Sequence, residues 1–157
     1  MTTLQAMVDD FLAQKRIAVA GVSRGGNAPA NIIYKKLRDS GYEVFAINPN
    51  APEIDGAPCY PNLAAVPGGV DGVVAAAHPD VTPQLVRECA DLGIPRLWIH
   101  RSFGQGSFSD EAVALGKAQN VAVIPGGCPM MFCQPVDLAH KCFRWWLSVT
   151  GSLPKTV

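Results

Sequence analysis

The sequence predicts a single α/β domain with a Rossmann-like, doubly wound and mostly parallel sheet. Two observations predict it. Apolar runs of strand length alternate with helical patterns, which is typical of a parallel sheet covered by helices on both faces. The first apolar run, Arg16–Ala20, also breaks into a glycine-rich loop that leads directly into a helix. A chain of 157 residues is long enough for one such domain, so we expect residues 1–157 to form one unit.

Each element follows from its own pattern. Residues 1–15 form an expected amphipathic helix, because apolar side chains recur there at helical spacing. These side chains are Leu4, Met7, Val8, Phe11 and Leu12. Further strands are expected at 43–47, 54–60, 70–77, 96–100 and 121–124, and one helical turn at 62–66. Further helices are expected at 29–39, 82–92 and 109–119, and a C-terminal aromatic helix within 133–150, centred on Pro135 to Thr150.

The glycine-rich loop is the first candidate site. Gly21, Ser23 and Gly26 occupy positions one, three and six of the dinucleotide-binding pattern G-x-G-x-x-G, with serine in place of the middle glycine. A strand, a glycine turn and a helix start in this order place free N–H groups against a phosphate. The alternative is a glycine turn that only joins the strand to the helix.

The second strand argues against a nicotinamide cofactor. Such sites use an acidic residue at the end of this strand to hold the ribose hydroxyls. Here the strand ends in Asn48, Pro49 and Asn50, which are neutral. An NAD-dependent dehydrogenase is therefore disfavoured.

Composition excludes several other classes. The thirteen basic and thirteen acidic residues cancel, so no overall charge attracts nucleic acid or a membrane surface. No apolar run is long enough to span a bilayer, and the N-terminus lacks the features of a signal peptide. Five cysteines without a regular framework indicate reduced thiols and a cytoplasmic location. No histidines and cysteines have zinc-site spacing, so we expect no metal.

The carboxyl ends of the predicted strands share one rim, where ligands bind in such sheets. These ends are Gly21-Val22-Ser23, Asn48-Pro49, Ala77-His78-Pro79, His100-Arg101-Ser102 and 125–128. They are small, rich in proline and sparsely charged. Such a rim suits a flat molecule that carries phosphate.

Several segments together resemble the CoA-binding protein family, whose fold is similar to the N-terminal domain of the succinyl-CoA synthetase alpha subunit. The matching segments are Ile17 to Arg24, Gly41 to Pro49, Ile54 to Pro61, Val70 to Val74 and Gly127 to Pro129. The resemblance covers about residues 10 to 132. It implies that coenzyme A or an acyl-CoA lies across the strand ends.

The resemblance also implies the role of each site residue. The pyrophosphate would lie along Gly21, Val22, Ser23, Arg24 and Gly26. Asn31 and Lys35 belong to the helix that follows, and Lys35 matches a lysine frequent in the family. The adenine would lie between Asn48-Pro49 and His78-Pro79, with Ala77 at the same strand end. His100 is expected near the pantetheine and Cys128 near the CoA sulfur. The chain departs from the common family pattern at Ala30-Asn31 and Ala77-His78.

The family's ligase relatives need a second domain and an ATP-grasp partner, neither of which fits in this sequence. The resemblance therefore implies a non-catalytic sensor, carrier or regulatory module. The alternative is an enzyme, either a nucleotide-dependent oxidoreductase or an acyl or thiol transferase that uses Cys128.

Four residues have two interpretations each. Backbone N–H groups in the turn at Cys128 could lower the pKa of its thiol, or the cysteine only fills the turn. His78 and His100 either line the ligand slot or are ordinary histidines. Arg101 either binds a phosphate or forms a surface salt bridge.

The C-terminal helix is apolar over too wide a face for an ordinary surface helix. Its aromatic residues either pack on the parent domain or form a homodimer contact.

Overall fold

The computed structural model describes residues 2–151 and 153. Residue 1, residue 152 and residues 154–157, which belong to the expected unit 1–157, lie outside the described part. The helices are α1 (Leu4–Leu12), α2 (Pro29–Asp39), α3 (Thr82–Leu92), α4 (Asp110–Ala118) and α5 (Leu138–Val149). The strands are β1 (Arg16–Ala20), β2 (Glu43–Ile47), β3 (Glu53–Ile54), β4 (Ala57–Tyr60), β5 (Gly72–Ala75), β6 (Arg96–Ile99) and β7 (Ala122–Ile124).

The strands form one sheet in the order β3-β4-β2-β1-β5-β6-β7. All neighbouring pairs are parallel except β3 and β4. The chain first adds strands on one side of β1 and then crosses to β5 on the other side. The order therefore reverses between β1 and β5, where ligands bind in doubly wound sheets. The predicted fold class is confirmed.

The side chains of β1 alternate between the two faces of the sheet, and each face is covered by its own layer of the core. Ile17 and Val19 face the layer formed with α1, α2 and α5. Ala18 and Ala20 face the layer that contains α3 and α4. One layer covers each face of the sheet, so the central strands are buried on both faces. This explains why they are unbroken apolar runs in the sequence.

The predicted strand at 54–60 is a hairpin instead. β3 and β4 pair antiparallel, and Asp55 and Gly56 between them have φ of +52° and +78°. Two positive φ values in a two-residue loop match the twist of a tight hairpin. The single strand predicted over these residues is therefore wrong at Asp55 and Gly56, where the chain reverses.

The terminal helices are shorter than the predicted ranges. α1 begins after Thr3, whose side chain accepts a hydrogen bond from Ala6 N–H. α5 begins after Asp137, whose side chain accepts one from His140 N–H. The predicted start of the C-terminal helix at 133 is wrong by five residues, because Pro135 and this cap place the first turn later. Among the described residues, no helix is both long and apolar enough to cross a bilayer.

Candidate functional site

The glycine loop after β1 lies at the point where the strand order reverses. Gly21 has φ of +101°, and a Cβ atom added there would lie 2.4 Å from the carbonyl oxygen of Ala76. Only glycine accepts both conditions. Gly21 therefore lets the end of β1 touch the segment that follows β5, and any ligand at this point meets backbone from both strands.

Two asparagines hold the loop in place. The side chain of Asn31, which is buried, accepts a hydrogen bond from Ser23 N–H at 3.0 Å and donates one to Ser23 O at 2.7 Å. Asn48 donates from Nδ2 to Val22 O at 2.7 Å and accepts from Asn50 N–H at 2.8 Å. Both amide side chains thus engage the backbone. Their hydrogen bonds occupy two loop carbonyls that would otherwise repel an anion.

The start of α2 is open to an anion. Its N-cap is Ala28, and no side chain in the described part of the protein caps it. Pro29 has no N–H group and Asn31 N–H donates to Ala28 O at 2.9 Å, which leaves Ala30 N–H as the first-turn donor for a ligand oxygen. Gly26, just before the helix, has φ of +74° and no heavy atom within 4 Å of an added Cβ. Space therefore remains in front of the helix.

Two basic side chains were predicted near this loop, and their positions differ. Arg24 lies in the loop and donates from Nη2 to Asn50 O at 3.3 Å. Lys35 lies further along α2, and its Nζ is 3.3 Å from the Asp55 carboxylate. Arg24 is therefore the basic residue at the helix start, whereas Lys35 is paired with the β3–β4 hairpin.

A cavity of about 380 Å³ opens beside the loop on the side of β2, here named the β2-side cavity. Its lining combines flat prolines with amides that can form hydrogen bonds. The lining residues are Ala20, Gly21, Ile47, Asn48, Pro49, Asn50, Pro61, Asn62, Ala77, Val81, Gln84, Leu85 and Glu88. The carboxylate of Glu88 accepts a hydrogen bond from Leu63 N–H at 3.2 Å.

A second cavity, of about 490 Å³, opens on the other side of the loop and is named the β6-side cavity. It lies between the start of α2, the ends of β5 and β6, and α5. The lining residues are Pro29, Ile32, Ile33, Ala76, Ala77, His100, Ser102, Phe103, Gly106, Ser107, Cys128, Met130 and His140. Ala77 lines both cavities, so the two are adjacent across the strand ends.

Burial favours the neutral forms of His100 and Cys128 in the β6-side cavity. It lowers the pKa of His100, whose Nε2 lies 3.3 Å from Ser102 Oγ. It raises the pKa of the Cys128 thiol to about 11, although hydrogen bonds from Met130 N–H and Ser102 act in the opposite direction. The expected lowering by backbone N–H groups is therefore present but is outweighed by desolvation. At neutral pH the Cys128 sulfur is a thiol.

Three predicted site residues lie elsewhere on the rim. The His78 side chain is 70% exposed, and its ring lies 3.3 Å from the carboxylate of Asp80. Pro79 lines a separate cavity with Pro83 and Phe108. Arg101 donates to Gly104 O at 2.9 Å and lies over the ring of Phe108.

The structure also adds residues that sequence analysis missed. Gln84 and Glu88 of α3 line the β2-side cavity, and His140 of α5 lines the β6-side cavity. Gln84 and Glu88 are four residues apart, the spacing of one helix face, so the pattern could have placed them together. Nothing local in the sequence directs α5 towards the strand ends. In the described residues, no group of three or more His, Cys, Asp or Glu side chains could hold a metal ion.

Comparison with known families bears directly on this site. The sequence model of a CoA binding domain matches residues 15–134. This range includes the glycine loop and every lining residue of the two cavities except His140. The chain belongs to this CoA-binding domain family. The fold and the strand-end cavities of this family member agree with the resemblance found in its sequence.

Curated relatives include two ADP-forming acetate–CoA ligases and one uncharacterized protein, YneT. The chain is 33% identical over 87 residues to the ADP-forming acetate–CoA ligase II of Archaeoglobus fulgidus, covering 54% of this chain and 13% of the ligase. It is 28% identical over 114 residues to YneT of Bacillus subtilis, covering 73% of this chain and 82% of YneT. The chain therefore spans about an eighth of the ligase.

Solved structures show the same architecture. A hypothetical protein from Pyrococcus horikoshii superposes with a TM-score of 0.74 at 25% identity. The superposition covers 82% of the present chain and 88% of the Pyrococcus horikoshii chain. A conserved hypothetical protein from Pyrococcus furiosus gives 0.63 at 32% identity, covering 69% and 90%. An acetyl-coenzyme A synthetase from Ca. Korarchaeum cryptofilum gives 0.58 at 25% identity, covering 70% of this chain and 25% of the synthetase.

Proposed function

We propose that this protein binds coenzyme A or an acyl-CoA across the carboxyl ends of its strands, as a non-catalytic module. The observation that carries the proposal is the pair of adjacent cavities on the two sides of the glycine loop, with the uncapped start of α2 in the wall of the β6-side cavity. An elongated ligand with a central pyrophosphate matches this order of sites. Membership of the CoA-binding domain family supports the same ligand class.

The chemistry of the two cavities indicates which end of the ligand each one would hold. The adenine belongs in the β2-side cavity, where Pro49 and Pro61 offer flat surfaces and Gln84 offers an amide. The pyrophosphate belongs at the helix start beside Gly26 and Arg24. The pantetheine then extends past Ala77 into the β6-side cavity.

The neutral groups of the β6-side cavity support a binding role. General acid–base catalysis uses a group whose pKa lies near the working pH. Burial moves the pKa of Cys128 to about 11 and lowers that of His100. The module would therefore hold the ligand without activating its thiol.

Isothermal titration calorimetry tests the ligand class. CoA should bind at least about tenfold more tightly than NAD or NADP, because no acidic residue follows β2 to hold the nicotinamide ribose. Native mass spectrometry of protein purified without added ligand gives a second test, in which CoA should copurify. NAD binding as tight as CoA binding would overturn the proposal.

A thiol or acyl transferase that uses Cys128 is the second candidate. The position of Cys128 in the lining of the β6-side cavity favours it. The high pKa of the thiol opposes it, since the thiolate is the nucleophile. An oxidoreductase is disfavoured by the neutral end of β2.

We also propose a homodimer through α5 and a cytoplasmic location. Leu138, Cys142, Trp145 and Val149 are all exposed, and their 4-3-4 spacing forms the stripe typical of a helix–helix contact. The same helix in a second copy is a self-complementary partner. The five free cysteines support a reducing compartment.

A further inference from the structure

The lining of the β6-side cavity carries no full charge to match an anion. Its residues include no aspartate, glutamate, lysine or arginine within the described part of the chain. His140, at its edge, has its Nδ1 2.6 Å from the carboxylate of Asp137, so any charge on that ring is balanced there. A carboxylate that entered this cavity would lose water without gaining a cation.

The mouth of the cavity is apolar and exposed. Ile32 of α2 is 46% exposed and Phe103 is 58% exposed, although both are large apolar side chains. Phe103 is held at the mouth by an edge-on contact with Phe143, with ring centroids 5.3 Å apart. Met130 adds a third apolar surface inside. An apolar group that covered these side chains would remove their exposed surface from water.

We propose that the β6-side cavity receives the acyl group of an acyl-CoA and selects short, uncharged acyl groups over a free thiol or an acyl group that ends in a carboxylate. This proposal rests on the proposed CoA-binding function and specifies its ligand. The apolar mouth favours the acyl chain, and the absence of a cation disfavours a second carboxylate. Ser102 and the neutral His100 are the polar groups beside the thioester.

Calorimetric titration with a matched set of ligands tests the selection. Free CoA, acetyl-CoA, butyryl-CoA and succinyl-CoA share every group except the one at the sulfur. Affinity should rise from CoA to butyryl-CoA, by up to about fourfold for each methylene that is buried, the equivalent of about 0.8 kcal/mol. Succinyl-CoA should bind at least about tenfold more weakly than butyryl-CoA.

A charge placed at the mouth should reverse the selection. Ile32→Lys should lower the ratio of butyryl-CoA to succinyl-CoA affinity to about one or below, because the ammonium group pairs with the succinyl carboxylate. Because both ligands carry the same phosphates, any attraction between the new lysine and phosphate affects both affinities equally and leaves their ratio unchanged. Leu92→Lys is the matched control, since Leu92 at the end of α3 is also 46% exposed, and its ratio should equal that of the wild type.

The outcomes separate this proposal from the one it rests on. Equal affinities for all four ligands would overturn the acyl selection and leave CoA binding intact. An unchanged ratio in folded Ile32→Lys protein would also overturn it. Failure to bind any of the four would overturn both proposals.

Discussion

At the scale of single residues, the conformation of the glycine loop depends on side chains that face inward. Asn31 and Asn48 were expected to contact the ligand, and the structure uses their amides to hold the backbone of Val22 and Ser23. Arg24, Gly25 and Asn27 of the loop are exposed, and Gly26 between them is half-buried. An anion bound at this loop would therefore meet mainly backbone, which suits a site with few charged groups.

Gly26→Asp tests this anion site. No atom lies within 4 Å of an added Cβ, and aspartate tolerates positive φ better than most residues, so the fold should persist. The carboxylate would compete with the pyrophosphate for the helix N–H groups, and CoA affinity should fall at least about tenfold, or about 1.5–3 kcal/mol. Calorimetry measures the affinity, and circular dichroism measures the fold.

Gly69→Asp is the control for this change. Gly69 has φ of +72° and is equally free of neighbours, but it precedes β5 and so lies at the opposite edge of the sheet. Its CoA affinity should match the wild type. Unchanged affinity in folded Gly26→Asp protein would show that the phosphates bind elsewhere.

Cys128 should be slow to react despite its position beside the proposed pantetheine. With a pKa of about 11, only about one thiol in ten thousand is ionised at pH 7. After incubation with CoA disulfide at pH 7, mass spectrometry should find little or no adduct on Cys128. The rate at Cys128 should rise about tenfold per pH unit between pH 8 and 10. A rapid adduct on Cys128 at pH 7 would support the transferase candidate instead.

At the scale of elements, α1 anchors the base of the sheet. Phe11 of α1 meets Trp98 of β6 edge-on, with ring centroids 5.4 Å apart. A Cβ at Gly72 would lie 2.8 Å from the Phe11 ring, so Gly72 makes room for it at the start of β5. Asp10 and Arg96 form an ion pair at 2.6 Å that lowers the pKa of the Asp10 carboxyl. α1 is thus part of the folded unit.

Phe11→Ala should lower the free energy of unfolding by about 3–5 kcal/mol, because it leaves a cavity beneath Trp98. Urea denaturation measures the loss. CoA affinity at low temperature should be unchanged, since this contact lies away from the strand-end cavities. Met7, only partly buried in the same helix, offers the control, and Met7→Ala should cost less. Equal costs would mean that α1 does not dock through Phe11.

The central elements were predictable, and the hairpin and the C-terminal segment were not. The bounds of α2 and α3 agree with the sequence, because proline at the start and glycine after the end mark both helices. The β3–β4 hairpin was not predicted, because Asp55 and Gly56 lie between apolar residues in a segment too short to suggest two strands. The lining role of His140 was missed because it depends on how α5 packs, and periodicity does not encode the direction of a helix.

At the scale of the molecule, α5 presents a surface that the other described residues, 2–137, 150–151 and 153, do not cover. Leu147 is its buried apolar residue, whereas Trp145 is 67% exposed and Val149 is 66% exposed. Phe143 and Trp146 contact Phe103 of the parent domain, so the expected packing holds for part of the aromatic face, whereas Trp145 is left exposed. Exposed apolar patches of this kind mark interaction surfaces.

Trp145→Lys tests the proposed dimer, because Trp145 is central in the exposed stripe. Light scattering coupled to size exclusion should give twice the chain mass of 16.7 kDa for the wild type at micromolar concentration and the single mass for the variant. At the centre of a two-fold contact, the lysine of one protomer would lie opposite the same lysine of the other. The two positive charges would repel each other and weaken the dimer. Leu92→Lys introduces the same charge on α3 and should remain dimeric. A wild-type protein that is monomeric throughout the concentration range would reject α5 as a self-contact, and a variant that stayed dimeric would place the contact on another face.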